Sequence, residues 1–199
     1  MTAFCDESLR RRTQGDGIYL LSAILLPLAM VPAVREEMSS LRLRGQRKLH
    51  WRDEGERRRP LLVSRTASIG PEVLIATWCA MEHRRQERAR RKAMQTLLAA
   101  LGERGVTRVL FESRGPELDR RDIAGLAGMR GSGVLPPTIR VDHAAGATEH
   151  ALWTADIVLG AFGAALDGDL RYWSELRANT KTTVLTCGQC AAAHGPAAP

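Results

Sequence analysis

Carboxylates are the residues of this chain whose positions point most directly to chemistry. Asp156 is the only charged residue in 151–166 (ALWTADIVLGAFGAAL), a stretch that is apolar nearly all round a helix and is therefore expected to be buried. A buried carboxylate persists only if it is paired with a base, protonated or bound to a cation. For Asp156 taken alone, an arginine partner and a metal are both open. Asp6 and Glu7 follow the apolar Ala3-Phe4-Cys5 at the end of an expected strand, and Glu112 follows Val109-Leu110-Phe111 in the same way. Side chains at such strand ends project into a cleft at the sheet edge. Three segments carrying acids could converge on one hard cation, Mg²⁺ or Mn²⁺, whose charge would offset the repulsion among them. Two such ions about 3.5–4 Å apart can activate water and stabilise the leaving oxygen of a phosphodiester. Each acid could equally be a helix cap or a salt-bridge partner.

The elements that must position these acids follow from period and punctuation. Residues 2–8 and 17–26 read as strands of an antiparallel hairpin, joined by the turn-forming Gln14-Gly15-Asp16-Gly17. The uncharged run 18–34 (IYLLSAILLPLAMVPAV) has only 17 residues and contains Pro27 and Pro32, so a buried strand followed by a helix start explains it better than a membrane span or export signal. Residues 31–44 read as a helix. From Arg42 to Arg65 the chain carries nine basic and three acidic residues, which reads as a charged helical insertion. Strands are then expected at 72–80, 106–112 and 138–143, with helices at 86–104, 116–129 and 148–166. The fold class is thus α/β, a mixed sheet flanked by helices with the insertion at about 31–70 between strands 2 and 3. Residues 1–177 form one domain, and 178–199 are expected to be a flexible tail.

Charge is the louder compositional signal. The 199 residues carry a formal net charge of +7, and of the 29 basic residues only Lys48, Lys92 and Lys181 are lysine. Arginine's planar fork suits phosphate contacts, although codon bias of the source accounts for part of the excess. In the third helix Arg84, Arg85, Arg88, Arg91 and Lys92 fall opposite the apolar Ala93, Met94, Leu97, Leu98 and Leu101, with Arg90 breaking the pattern. Such a stripe could lie along a nucleic-acid backbone or simply be a solvated face. Aromatic residues make up only 5% of the chain, which argues against rows of base-stacking side chains.

The opening Cys-Asp-Glu-Ser, the segment Val-Leu-Phe-Glu-Ser-Arg-Gly ending at Gly115, and Leu-Trp-Thr-Ala-Asp-Ile-Val-Leu-Gly-Ala from Leu152 to Ala161 together resemble the largely uncharacterised domain-of-unknown-function family 3800. The resemblance spans residues 1–176 and rests on the order and spacing of these short motifs. It implies a ribonuclease-H-like mixed five-stranded sheet and metal-dependent chemistry on nucleic acid. The implied acids come from the first strand, the fourth strand and the last helix, matching Asp6 with Glu7 beside it, Glu112 and Asp156. Typical ribonuclease H enzymes add a glutamate on the helix after the third strand. Here that helix offers only Glu82, Glu87 and Glu103 nearby, so either Glu7 substitutes or the second metal site is incomplete, which leaves two-metal catalysis open.

Lesser candidates are His50, in Lys48-Leu49-His50-Trp51, which resembles a basic-His element of the family and could contact phosphate or relay a proton. Lys48 belongs to the same element, and Arg114 could orient a phosphate or pair with Glu117 or Asp119. Cys187 and Cys190 with His194 are too few for a closed zinc site, and Cys5 and Cys79 are expected to be small buried hydrophobes. The sequence therefore predicts a cytoplasmic, metal-dependent nuclease or related phosphodiester-processing enzyme. Asp6, Glu112 and Asp156 would hold Mg²⁺ or Mn²⁺, Glu7 would assist catalysis, and Lys48, His50, Arg114 and the basic stripe would bind nucleic acid. The alternative is a non-catalytic nucleic-acid- or protein-binding module on the same fold.

Overall fold

β1 (Thr2–Arg11) and β2 (Gly17–Leu26) pair antiparallel, in register from Thr2↔Leu26 to Arg11↔Gly17. The computed structural model describes residues 1–11, 17–81 and 85–187, and the turn expected at 14–17 falls largely outside them. Every residue of β2 is buried. Its uncharged run is therefore that of a central strand covered on both faces. Among the described residues no helix is long and apolar enough to cross a membrane. Pro27 ends the strand, a 3-10 turn follows at Leu28–Met30, and Pro32 lies in the first turn of α1 (Val31–Ser40), where its missing N–H costs nothing.

The insertion is less helical than its charge run implies. After α1 comes a loop, then a 3-10 turn at Trp51–Asp53 and α2 (Arg59–Ser68). The alternation of β3 (Glu72–Met81), α3 (Gln86–Glu103), β4 (Arg108–Glu112), α4 (Pro116–Gly131), β5 (Arg140–Ala144) and α5 (Leu152–Leu166) follows. Two further elements correct the expected tail. α6 (Arg171–Asn179) packs against α5 and α2, and β6 (Lys181–Cys187) pairs in parallel with β3. β-branched Thr182, Thr183 and Val184 suit a strand. Six strands rather than five thus form one mixed sheet, ordered β5-β4-β1-β2-β3-β6, with β1 parallel to β4 and β4 parallel to β5.

Successive residues of a strand point to opposite faces of the sheet, so β1 serves two cores. Phe4 packs with side chains of α1, α2, α5 and α6, whereas Ala3 and Cys5 pack with those of α3 and α4. Each fully buried large apolar side chain contributes about 1.5–3 kcal/mol to either core. The same parity sends Asp6, with Phe4, to the α5 side and Glu7, with Cys5, to the α3 side. Glu112 shares the face of Leu110, again the α5 side. Cys5 is a free, buried thiol as expected, and burial pushes it well above the usual thiol range. Cys79 departs from expectation, being half-buried and disulfide-bonded. Cys190 and His194 lie outside the described residues.

Candidate active site

α5 runs across the sheet on the β1 and β2 side, buried at every position except Asp156, Ala164 and Leu166. Asp156 therefore lies on the same side of the sheet as Asp6 of β1, and Glu112, at the end of β4, shares that side. The electrostatics register this convergence. Burial, then the charges of Asp156 and Glu112, hold the Asp6 carboxyl well above the usual carboxylate range. Burial also raises Asp156, opposed by His50, the Trp51 N–H and Lys48, and reinforced by Glu112.

The loop after α1 completes the group, and its four-residue pattern explains how. Leu49 and Trp51 are buried in the α5-side core, which turns Lys48 and His50 toward the acids. The Lys48 ammonium is bonded to Oε1 of Glu112. Burial would lower its pKa, but the bond to Glu112 and the charges of Glu112, Asp6 and Asp156 outweigh this and raise it. The Trp51 backbone N–H donates to Oδ2 of Asp156 at 2.6 Å. His50 accepts the Arg52 N–H on Nδ1 at 3.1 Å, which assigns its ring proton to Nε2, 3.9 Å from Oδ1 of Asp156. Nothing in the order of residues signals that a backbone N–H of Trp51 would hold Asp156. Gly160, one turn further along α5, sits where a Cβ would overlap the Trp51 ring. Gly160→Ala is expected to cost about 1–3 kcal/mol by overpacking, read as a lowered thermal midpoint, and to lift the Trp51 N–H from Asp156.

Glu7 does not join this group. Tyr19 donates its hydroxyl to Glu7 and Arg90 pairs with it, on the opposite face of the sheet. Arg90, the residue that broke the α3 stripe, is 2% exposed and also binds Asp122, with Nη2 at 2.6 Å from Oδ2. Its guanidinium stands 5.7 Å from the Phe111 ring centroid. Arg114 belongs to this network too, pairing with Glu87 at 2.8 Å and Asp122 at 3.2 Å, while only its backbone N–H meets Asp119. His143 contacts Asp122 at 3.2 Å. Placing Glu7 at the catalytic cluster is therefore corrected by strand parity, and placing Arg114 there by its pairs with Glu87 and Asp122, which hold it on the α3 side in the loop beyond β4.

The basic stripe is separated from the acids for the same reason. Arg85, Arg88, Arg91 and Lys92 are exposed on α3, which covers the other face of the sheet, and Arg84 lies outside the described residues. A different basic surface adjoins the acids. A cleft of about 610 Å³ opens beside Asp156, and its lining includes Arg10, His50, Arg52, Arg59 and Asp167. Arg59 stacks 4.9 Å from the Trp51 ring centroid, and its Nε is buried with no hydrogen-bond partner among the described residues. Arg10 pairs with Asp167. Arg52 is exposed.

As a donor set, three carboxylates against one ammonium leave a net negative, hard-oxygen cluster of the kind that suits Mg²⁺ or Mn²⁺. Among the described residues, however, no three His, Cys, Asp or Glu side chains are gathered as a ready metal-binding group. Lys48 is the cation in their midst. The chemistry of the donors fits a divalent ion; their present arrangement is that of an ion pair.

No family model and no curated protein sequence matches the chain. Among solved structures it is similar to the PCNA:RNase HII complex from Archaeoglobus fulgidus, at 14% identity over 89% of this chain and 77% of that one, with a TM-score of 0.46. A likeness at that level transfers neither fold nor activity.

Proposed function

We propose that this protein is a divalent-cation-dependent phosphodiesterase acting on nucleic acid, with the ribonuclease-H-like organisation that its motifs resemble. The observation that carries the reading is that Asp6, Glu112 and Asp156, from β1, β4 and α5, share one face of the sheet beside an arginine-lined cleft, close enough that the charges of Asp156 and Glu112 hold the Asp6 carboxyl up and that of Glu112 helps to raise Asp156. Those three carboxylates would hold the cation, Mg²⁺ or Mn²⁺. The chemistry a cation held there would supply is stabilisation of the negative charge that develops on phosphoryl oxygens. The chain's own groups do the rest. The Trp51 N–H keeps Asp156 oriented, and the neutral His50 presents its Nε2–H at the edge of the cluster, where it can donate a hydrogen bond to a phosphate oxygen of the substrate. Arg52 and Arg59 flank the cleft and are suited to the backbone phosphates of the substrate.

The substrate then lies in the cleft and not along the α3 stripe. Purified protein is assayed with labelled single-stranded RNA, double-stranded RNA, RNA–DNA hybrid and DNA in Mg²⁺, Mn²⁺ or chelator. Cleavage that needs the cation is the expected result. Salt-sensitive binding without cleavage under any condition would instead favour a non-catalytic binding module. Arg52→Ala with Arg59→Ala is expected to weaken binding and reduce its salt slope by about one unit for each phosphate no longer neutralised. Arg88→Ala with Arg91→Ala should change both less, and the reverse ranking would return the substrate to the opposite face.

A further inference from the structure

Lys48 is one of only three lysines in a chain with 29 basic residues. Its ammonium is nevertheless bonded to Glu112 and feels the charges of Asp6 and Asp156. Its side chain is 32% exposed, so it has a way out to solvent, and it is carried on a loop between α1 and the Trp51 turn. Lysine is the residue suited to a reversible counter-ion. Its ammonium is a compact point charge on a flexible stem, whereas arginine would clamp a carboxylate through two parallel bonds. Leu49 and Trp51 anchor the loop in the core on the far side, so Lys48 can swing without moving Asp156 or its Trp51 N–H.

Resting on the cation-dependent reading above, we infer that Lys48 is the resident counter-ion of the cluster and that a divalent cation enters by exchange with its ammonium. In the cation-free protein Lys48 pairs with Glu112 and offsets part of the cluster's charge. Entry of the ion breaks the Lys48–Glu112 pair and sets Glu112 free as a donor. The exchange also places a released ammonium at the mouth of the site.

The test is Mn²⁺ binding, measured by calorimetry without substrate, on wild type, Lys48→Met and Lys48→Arg. Removing the competing charge is expected to tighten binding about tenfold or more in Lys48→Met, since close charges interact strongly in a buried site. Lys48→Arg should bind more weakly than wild type. Wild-type binding with Lys48→Met unchanged or weaker would overturn the exchange while leaving the cation reading intact. Absence of binding in both would overturn the cation reading itself, and the exchange with it. A second measurement needs no variant. Acylation of lysines in the wild-type protein, mapped by peptide mass, should rise severalfold at Lys48 when Mn²⁺ is added, with Lys92 and Lys181 as internal references. An unchanged Lys48 rate with Mn²⁺ bound overturns the proposal.

Discussion

Asp156→Asn is expected to lower cation-dependent cleavage by about 10²–10³-fold, the scale on which loss of one electrostatic contributor to a transition state is felt. The substitution keeps the shape of the side chain and an oxygen for the Trp51 N–H, so it removes charge and little else. It should also leave the protein folded. In chelator, the carboxyl of Asp156 is raised above its unfolded value, chiefly by burial. A group raised in this way contributes stability at low pH that is lost as pH rises through its folded value. A neutral asparagine escapes that loss, and it relieves the repulsion felt by Asp6. The thermal midpoint near neutral pH should therefore be no lower than wild type. Undiminished cleavage by this variant would sink the carboxylate mechanism; loss of cleavage together with a collapsed melting transition would sink the claim that Asp156 acts through its charge.

On the other face of the sheet, Arg90→Met should cost about 3–5 kcal/mol, because it strands the buried Asp122 and the half-buried Glu7 without their common partner. For a chain of this size that corresponds to a midpoint lower by roughly 6–20 °C. Adding Glu7→Gln and Asp122→Asn should recover much of the loss. The same network makes the protein acid-labile in a definite window. Burial would raise Asp122, but hydrogen bonds from His143 and Arg90 and the charges of Arg90 and Arg114 outweigh it and hold its carboxyl well below the usual range. Its stabilisation is thus complete above the unfolded value of about 3.9 and disappears as pH falls from there through the depressed folded value. Cleavage per folded molecule should survive Arg90→Met, since the cluster lies across the sheet. Melts of wild type and of the single and triple variants from pH 7 down to about 2, through the window below about 3.9, test the network. A single variant as stable as wild type would show that Arg90 is not the partner the two acids depend on.

Much of the frame was legible because hydrophobic period is local information. Gly17–Leu26 reads as a buried strand from its unbroken apolar run, and Leu152–Leu166 as a buried helix with one anomalous acid. Asp6, Glu112 and Asp156 stand out for the same reason, each a charge attached to an apolar segment. β6 and α6 were missed because Lys181–Cys187 and Arg171–Asn179 are short, polar and stabilised mainly by what they pack against. The α3 stripe was legible as a stripe, but its distance from the acids was not, since a helix face carries no label for the side of the sheet it covers.

The amino-acid order alone determined which acids must be buried and therefore need a partner, because an isolated carboxylate in an apolar segment is costly wherever it folds. Asp6 and Glu7 read as a pair at the end of a short strand, but β1 runs on to Arg11 and its alternation sends them to opposite faces. Which of them meets Asp156 was decided only when α5 and α3 took opposite faces of the sheet. Tertiary structure likewise decided the partners: Arg90 for Glu7 and Asp122, Lys48 for Glu112, the Trp51 N–H for Asp156. Those pairs join residues far apart in the chain, and charge is felt through space, so only the folded distances could choose among so many arginines and so few lysines.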